Sequence, residues 1–206
     1  MTDFSQLKTY SIKIDDNDDV TGISLISFVE KPAMEVSAVK LAEAPKLVTL
    51  KTDEYKQYLT SAVIIPNKPI YRNDPERGEY LIQFSEQDVE AIRNKFFKTT
   101  GNLKLSNKNH DAADTVSTML IESWIIEDPT MDKAVALGFT GLPKGTMMAT
   151  YKILDADFWQ NEVLTGNVTG FSLEGMFHEV ELQLSANKED DLYRVLDELV
   201  SFLEKR

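Results

Sequence analysis

The chain contains two histidines, His110 and His178, and no cysteine. Histidine is the side chain whose ordinary pKa lies nearest neutrality, so each one is a candidate general base. His110 stands in the polar segment 106–111 just before a predicted strand, a setting that by itself favours a solvated loop residue. His178 alternates with Val180 and Leu182, which favours a half-buried structural role.

One serine, Ser172, lies in a strand-like segment, 170–175, that begins and ends with glycine. Alternation places its hydroxyl and the Glu174 carboxylate on one side of the strand and two apolar side chains on the other. Glycines in a strand permit a bulge or a close backbone approach. They do not surround Ser172 symmetrically as in a Gly-x-Ser-x-Gly nucleophile elbow, which disfavours an α/β-hydrolase. The residues alone therefore predict one possible Ser–His pair.

The composition argues against several other functions. The 34 acidic and 22 basic residues give a formal net charge of −12, which repels phosphate backbones and anionic lipids, so neither nucleic-acid nor membrane binding is expected. Two widely separated histidines, no cysteine and no Gly-rich phosphate loop predict neither a metal site nor a cofactor. No apolar run reaches the roughly 18 residues that would span a bilayer, and a soluble intracellular protein is expected.

Apolar periodicity predicts the strands that must position these side chains. Residues 40–58 fit neither period and are interpreted as a linker, while 70–78 carry the turn residues of a hairpin-like loop. Residues 131–144 are interpreted as a helix or loop insertion. Strands are predicted over residues 10–14 and 20–29 as an N-terminal arm or first hairpin, and over 59–66, 79–84, 115–127, 146–154 and 168–184.

Capping residues mark the predicted helices. Ser85 precedes an amphipathic segment whose first turn it can cap, and Asp155 caps a short helix that Gly166 can end. Residues 187–206 form a last amphipathic helix whose apolar stripe would pack on its own domain, on a second copy or on a scaffold partner.

The order of these elements predicts an α+β fold with a mainly antiparallel, barrel-like sheet and surrounding helices. Three regions are expected along the chain. Residues 1–57 form an N-terminal arm, strand and linker, residues 58–184 form the core, and residues 185–206 form a C-terminal amphipathic helix.

Short blocks follow one another in a characteristic order between about residues 20 and 180. They read GISL at 22–25, EKPAM at 30–34, IPNKPIYR at 65–72, GEY at 78–80, NHD at 109–111, IESWII at 121–126, LPKGT at 142–146 and TGFSLEGMF at 169–177. In this order the blocks resemble the XkdF-like group of tailed-phage serine proteases, which are similar to prohead proteases and, distantly, to the herpesvirus capsid protease.

The resemblance implies a capsid maturation protease with Ser172 as nucleophile and His110 as general base. Such an enzyme attacks a peptide carbonyl, forms an acyl-enzyme and releases it with water, while backbone N–H groups hold the oxyanion.

A third residue should orient the imidazole of His110. The resemblance favours Glu122, which lies in the strand-like block that follows His110 along the chain. Asp111, Glu174 and His178 remain alternatives, although neighbouring strand residues point apart, which disfavours Asp111.

The resemblance also implies scaffold and major capsid proteins as substrates, cut in the host cytoplasm inside the procapsid during assembly. The C-terminal helix suggests a homodimer. Two other functions stay open: a non-catalytic structural or scaffold-associated virion protein with the same fold, and an unrelated small-molecule hydrolase.

Overall fold

The structure is a computed structural model that describes residues 7–32, 50–99 and 105–182. Within these ranges strands predominate and helices are few, which confirms the α+β class. The predicted C-terminal helix over 187–206 lies outside the described residues. The strands are β1 (Thr9–Lys13), β2 (Gly22–Val29), β3 (Lys51–Asp53), β4 (Tyr58–Ile64), β5 (Ile70–Asp74), β6 (Gly78–Gln83), β7 (Leu105–Asn107), β8 (Thr115–Ile125), β9 (Met147–Ile153), β10 (Gly170–Met176) and β11 (His178–Glu181).

The helical segments are short apart from the first. They are α1 (Glu86–Thr99), α2 (Lys133–Ala136), α3 (Ala156–Phe158) and a π-helical turn over Trp159–Val163. Ser85 caps α1 by accepting from the Asp88 N–H at 3.2 Å, and Asp155 caps α3 in the same way. In the described ranges, no helix is both long and apolar enough to cross a membrane.

Hydrogen bonding divides the strands into three sheets, with orders β11-β1-β6-β5, β10-β2 and β3-β4-β9-β8-β7. The strand pairs are antiparallel except β1 with β6. This confirms the mainly antiparallel pairing. None of the sheets closes into a barrel within the described ranges, so the predicted barrel-like closure is not confirmed.

The pair β2 and β10 positions the candidate nucleophile. The two strands run antiparallel with Ser172 opposite Ser27, and the register shifts between Glu174 and Gly175. A Cβ on Gly175 would lie 2.1 Å from the carbonyl oxygen of Gly22, so only glycine lets the strands approach this closely. Because opposed residues share a face, the two serine hydroxyls stand side by side.

An aromatic cluster anchors β10 from its opposite face. The ring of Phe171 lies 5.3 Å from that of Phe28 and 5.6 Å from that of Tyr151, and Phe158 packs on Phe28 at 5.7 Å. Phe28 is completely buried. Such offset and edge-on contacts stabilise the core by about 0.5–1.5 kcal/mol each beyond area burial. The predicted division of β10 into an apolar and a polar side is confirmed.

Three predicted features differ from the structure within the described residues: the hairpin alternative for the first strands, the loop over 70–78 and the linker. β1 pairs with β6 and β11 and forms no hairpin with β2, because a local apolar pattern does not specify the partner of a strand. Residues 70–78 contain a true strand, β5, which pairs with β6 across a short turn. The predicted linker contains β3, which pairs with β4, and its residues 40–49 lie outside the described ranges.

Candidate active site

A tight turn after β7 presents the imidazole of His110. Lys108 bridges to Phe28 of β2, and the N–H of Asn109 donates to the Phe28 carbonyl at 2.9 Å. Asn109 and His110 then adopt φ values of 50° and 63°, in the left-handed region. This conformation is common for asparagine and costs a histidine about 1–2 kcal/mol. Strained backbone of this kind often lies at functional sites.

His110 and Ser172 meet across this turn. The Nε2 atom of His110 lies 3.0 Å from the Ser172 Oγ, within reach of a hydrogen bond. The imidazole side chain is 42% exposed, and Ser172 is half-buried. Ser172 also lines a cavity of about 1030 Å³ that runs along residues 171–177. The structure therefore brings together the predicted base and nucleophile at the edge of a space that a ligand can enter.

The other ring nitrogen of His110 faces a carboxylate. Its Nδ1 atom lies 3.1 Å from Glu174 Oε1 and 3.2 Å from Ser27 Oγ. Glu174 Oε1 also accepts from the Ser27 hydroxyl at 2.5 Å and from Asn107 Nδ2 at 2.7 Å. Three potential donors, from β2, β7 and the turn, thus converge on one oxygen.

These contacts select one tautomer of the imidazole. The single Ser27 proton lies on the short bond to Glu174, so the Ser27 oxygen is left as an acceptor. Both neighbours of His110 Nδ1 are then acceptors, which places the ring proton on Nδ1. In the neutral ring this is the single ring proton, so Nε2 is an unprotonated acceptor toward Ser172, the state that a general base requires.

The environment keeps Glu174 ionised. Burial raises the pKa of the carboxyl, but hydrogen bonds from Ser27, Asn107 and His110 together outweigh it and lower the pKa below its ordinary value. An ionised carboxylate beside Nδ1 stabilises the imidazolium that forms when His110 takes a proton.

The structure does not bring Glu122, the sequence-based choice of third residue, to His110. Glu122 lies on β8 opposite Thr150 of β9, and its carboxylate is paired with Lys133 and accepts from the Thr150 hydroxyl at 3.1 Å. β8 belongs to the five-stranded sheet, whereas Ser172 and Glu174 lie on the separate β2–β10 pair. Glu174, one of the alternatives, is the carboxylate that lies against the imidazole.

The remaining alternatives lie apart from the imidazole. Asp111 accepts from the Ala113 N–H at 2.8 Å and so closes the turn. His178 is exposed, with Nε2 3.9 Å from Asp18, so its predicted half-buried position is wrong. Val180, on the same side of β11, is also 52% exposed, whereas Leu182, just after the strand, is half-buried.

Sequence reasoning missed Ser27 and Asn107. Ser27 interrupts the apolar run of β2, and a polar residue inside a buried strand must find a hydrogen-bond partner. That interruption was the available signal. Asn107 is 2% exposed, and its amide oxygen has no hydrogen-bond partner among the described residues, while its amide nitrogen donates to Glu174.

Within the described part of the chain, no group of three or more His, Asp or Glu side chains is arranged to hold a metal ion. A hydroxyl, an imidazole and a carboxylate in hydrogen-bonded series are the arrangement of a serine hydrolase.

Comparison with protein families agrees with this class. Residues 46–181 match the family described as "Putative phage serine protease XkdF". The chain belongs to this family of phage serine proteases. Comparison with curated proteins and with solved structures gives no match. The matched range includes His110, Ser172 and Glu174, whereas Ser27 lies before it.

Proposed function

We propose that this protein is a serine endopeptidase that cleaves scaffold and capsid proteins of a tailed phage during procapsid maturation, inside the procapsid in the host cytoplasm. The observation that carries the proposal is the 3.0 Å approach of His110 Nε2 to Ser172 Oγ, with Glu174 on the opposite nitrogen. Family membership supports the phage context.

The reaction follows from the direction of these hydrogen bonds. Ser172 Oγ attacks the scissile carbonyl carbon while its proton moves to His110 Nε2, giving a tetrahedral intermediate. The imidazolium then donates this proton to the leaving amine as the C–N bond breaks. A water molecule attacks the acyl-enzyme with its proton passing to Nε2, and Ser172 recovers a proton as the new carboxylic acid leaves.

Glu174 acts through the imidazole and not on the substrate. Its carboxylate holds the Nδ1–H tautomer and stabilises the positive charge that His110 carries during both proton transfers. In this proposal Glu174 takes the orienting role that the sequence assigned to Glu122.

Accessibility distinguishes the two serines that flank the imidazole. Ser27 is completely buried, whereas Ser172 is half-buried and lines the cavity. A nucleophile must reach a peptide carbonyl, so Ser172 takes that role.

The proposed substrate is an extended segment of polypeptide. In the described residues β10 pairs with β2 along one edge and with no strand along its other edge. The cavity follows β10 and is lined by apolar side chains such as Leu173 and Phe177. A substrate strand added to this edge would place its carbonyl groups in register with Ser172.

The proposal is tested by co-expression with the scaffold and major capsid proteins of the same phage. Wild type is expected to cut at least one of them at defined positions, and Ser172→Ala is expected to leave both intact. Ser106→Ala serves as the control, since it removes another buried hydroxyl, one that donates to the Ile26 carbonyl. Unchanged cleavage by Ser172→Ala contradicts the proposal, and absence of cleavage by wild type favours a non-catalytic assembly protein.

A further inference from the structure

Ser27 contacts both His110 and Glu174 but is too deeply buried to reach a substrate. It is completely buried in β2, and its neighbours Ile26 and Phe28 belong to the apolar core. A buried hydroxyl in such a strand is costly unless its hydrogen bonds are satisfied. Its contacts are Glu174 Oε1 at 2.5 Å and His110 Nδ1 at 3.2 Å.

The orientation of Glu174 depends on where its donors lie. The last torsion of a glutamate is broad, so a carboxylate turns freely unless hydrogen bonds hold it. Ser27 and Asn107 both donate to Oε1, the same oxygen that faces His110 Nδ1. Removal of the shorter of these bonds leaves Asn107 to hold Oε1, so the carboxylate is fixed less firmly against the ring.

We propose that Ser27 is a positioning residue whose hydroxyl locks Glu174 Oε1 against His110 Nδ1 and thereby keeps Nε2 unprotonated toward Ser172. This inference rests on the proposed function and adds a residue to it. Loss of a group that orients a metal-ligating side chain from behind commonly costs about 10–100-fold, and we expect an effect of the same order for this imidazole and carboxylate. Because Ser27 precedes the family-matched range 46–181, the unit required for activity extends back to β2.

The test uses diisopropyl fluorophosphate, which needs no knowledge of the natural substrate. Ser172 Oγ attacks phosphorus, the P–O bond forms, the P–F bond breaks, fluoride leaves and the hydroxyl proton moves to His110. The rate of labelling is followed by intact mass and its position by peptide mass spectrometry. The full-length chain is used throughout.

Ser106→Ala is the matched control for Ser27→Ala. Ser106 is also 0% exposed, and its hydroxyl donates to the Ile26 carbonyl at 2.5 Å, so both variants remove one buried, hydrogen-bonded hydroxyl. Ser27→Ala is expected to slow labelling by about 10–100-fold and Ser106→Ala by no more than about 3-fold, at similar losses of thermal stability. Equal slowing by the two variants would overturn the positioning role.

A double-mutant cycle separates positioning from a general structural effect. If Ser27 acts through Glu174, then Ser27→Ala causes little further slowing once Glu174→Gln is present. The same slowing in both backgrounds contradicts the inference. A merely structural serine has no reason to couple to the charge of Glu174.

The failures of the two proposals are distinguishable. If diisopropyl fluorophosphate does not label Ser172 in the wild type, the proposed function fails and the role of Ser27 fails with it. If Ser172 is labelled but Ser27→Ala behaves like Ser106→Ala, only the inference about Ser27 fails.

Discussion

Two glutamates, Glu174 and Glu122, occupy similar local settings and differ in what surrounds them. Each lies on a strand beside a register shift, each accepts from a hydroxyl of the facing strand, and their side chains are 31% and 37% exposed. The partners differ, since Glu122 pairs with Lys133 whereas Glu174 faces two neutral donors and an imidazole. The ammonium group of Lys133 neutralises the charge of Glu122. Ser27 and Asn107 are neutral, so the negative charge of Glu174 remains to stabilise a protonated His110.

The comparison teaches that local pattern and exposure do not identify an orienting carboxylate. The decisive property is the convergence of elements that are distant in the chain. Glu174 bonds to Ser27 and Asn107, which are 147 and 67 residues away in the sequence, whereas Glu122 bonds to Lys133, 11 residues away.

The largest contrast is expected between the two histidines. His110→Ala removes the proposed base, so kcat/KM for cleavage of the scaffold or capsid substrate should fall by about 10⁴-fold or more. His178→Ala removes an exposed ring and should change kcat/KM by less than about 3-fold. Comparable losses of kcat/KM in the two variants would contradict the assignment of His110, and not His178, as the general base.

The next contrast is between the two glutamates themselves. Glu174→Gln keeps the shape but removes the charge beside Nδ1, so kcat should fall by about 10²–10⁴-fold with KM changed only a few-fold. Glu122→Gln should alter kcat by less than about 3-fold, because Lys133 and Thr150 lie away from the imidazole. A larger loss of kcat in Glu122→Gln would restore the sequence-based assignment.

A third contrast concerns the bulge beside Glu174. Gly175→Ala places a Cβ against the Gly22 backbone and should lower the free energy of unfolding by about 3 kcal/mol or more. Gly166→Ala, at φ +79° with no atom of the described residues within 4 Å of the added Cβ, should cost only about 1 kcal/mol. Urea unfolding of both variants measures the difference, and equal losses would show that the β2–β10 approach is not constrained by glycine.

The smallest effect is a pH dependence of stability. Because hydrogen bonds lower the pKa of folded Glu174, its charge stabilises the fold fully above the ordinary carboxyl pKa and loses this effect as the pH falls through the lowered pKa. The stability difference between wild type and Glu174→Gln should therefore shrink in acid, by about 1 kcal/mol or less for a partly exposed group. Ser106→Ala removes a group that does not titrate, so its difference should stay constant with pH. A difference for Glu174→Gln that is equally constant would contradict the assigned ionisation.

Local signals in the sequence predicted local features well. The cap at Ser85, the division of β10 into two sides and the glycine-assisted bulge follow from residue type and spacing. The pairing of β2 with β10 and the bridge from Lys108 to Phe28 join segments far apart in the chain. Apolar periodicity indicates that a strand has one apolar and one polar face. It does not specify which strand pairs with it or which face is buried.

The same limit applies at the site. The ordered block that contains Glu122 favours it as the orienting residue, but β8 pairs it with β9, away from the imidazole. Ser27 carried a local signal, a hydroxyl within an apolar strand, but its partners His110 and Glu174 are fixed only by the tertiary fold.

The most direct test of the central claim is peptide mass spectrometry after reaction with diisopropyl fluorophosphate, comparing wild type with His110→Ala. The account predicts one phosphoryl adduct in the wild type, on Ser172, and its near-complete loss when the proposed base is absent. An adduct on another serine, or equal labelling of Ser172 without His110, would contradict the assignment of Ser172 as a nucleophile activated by His110.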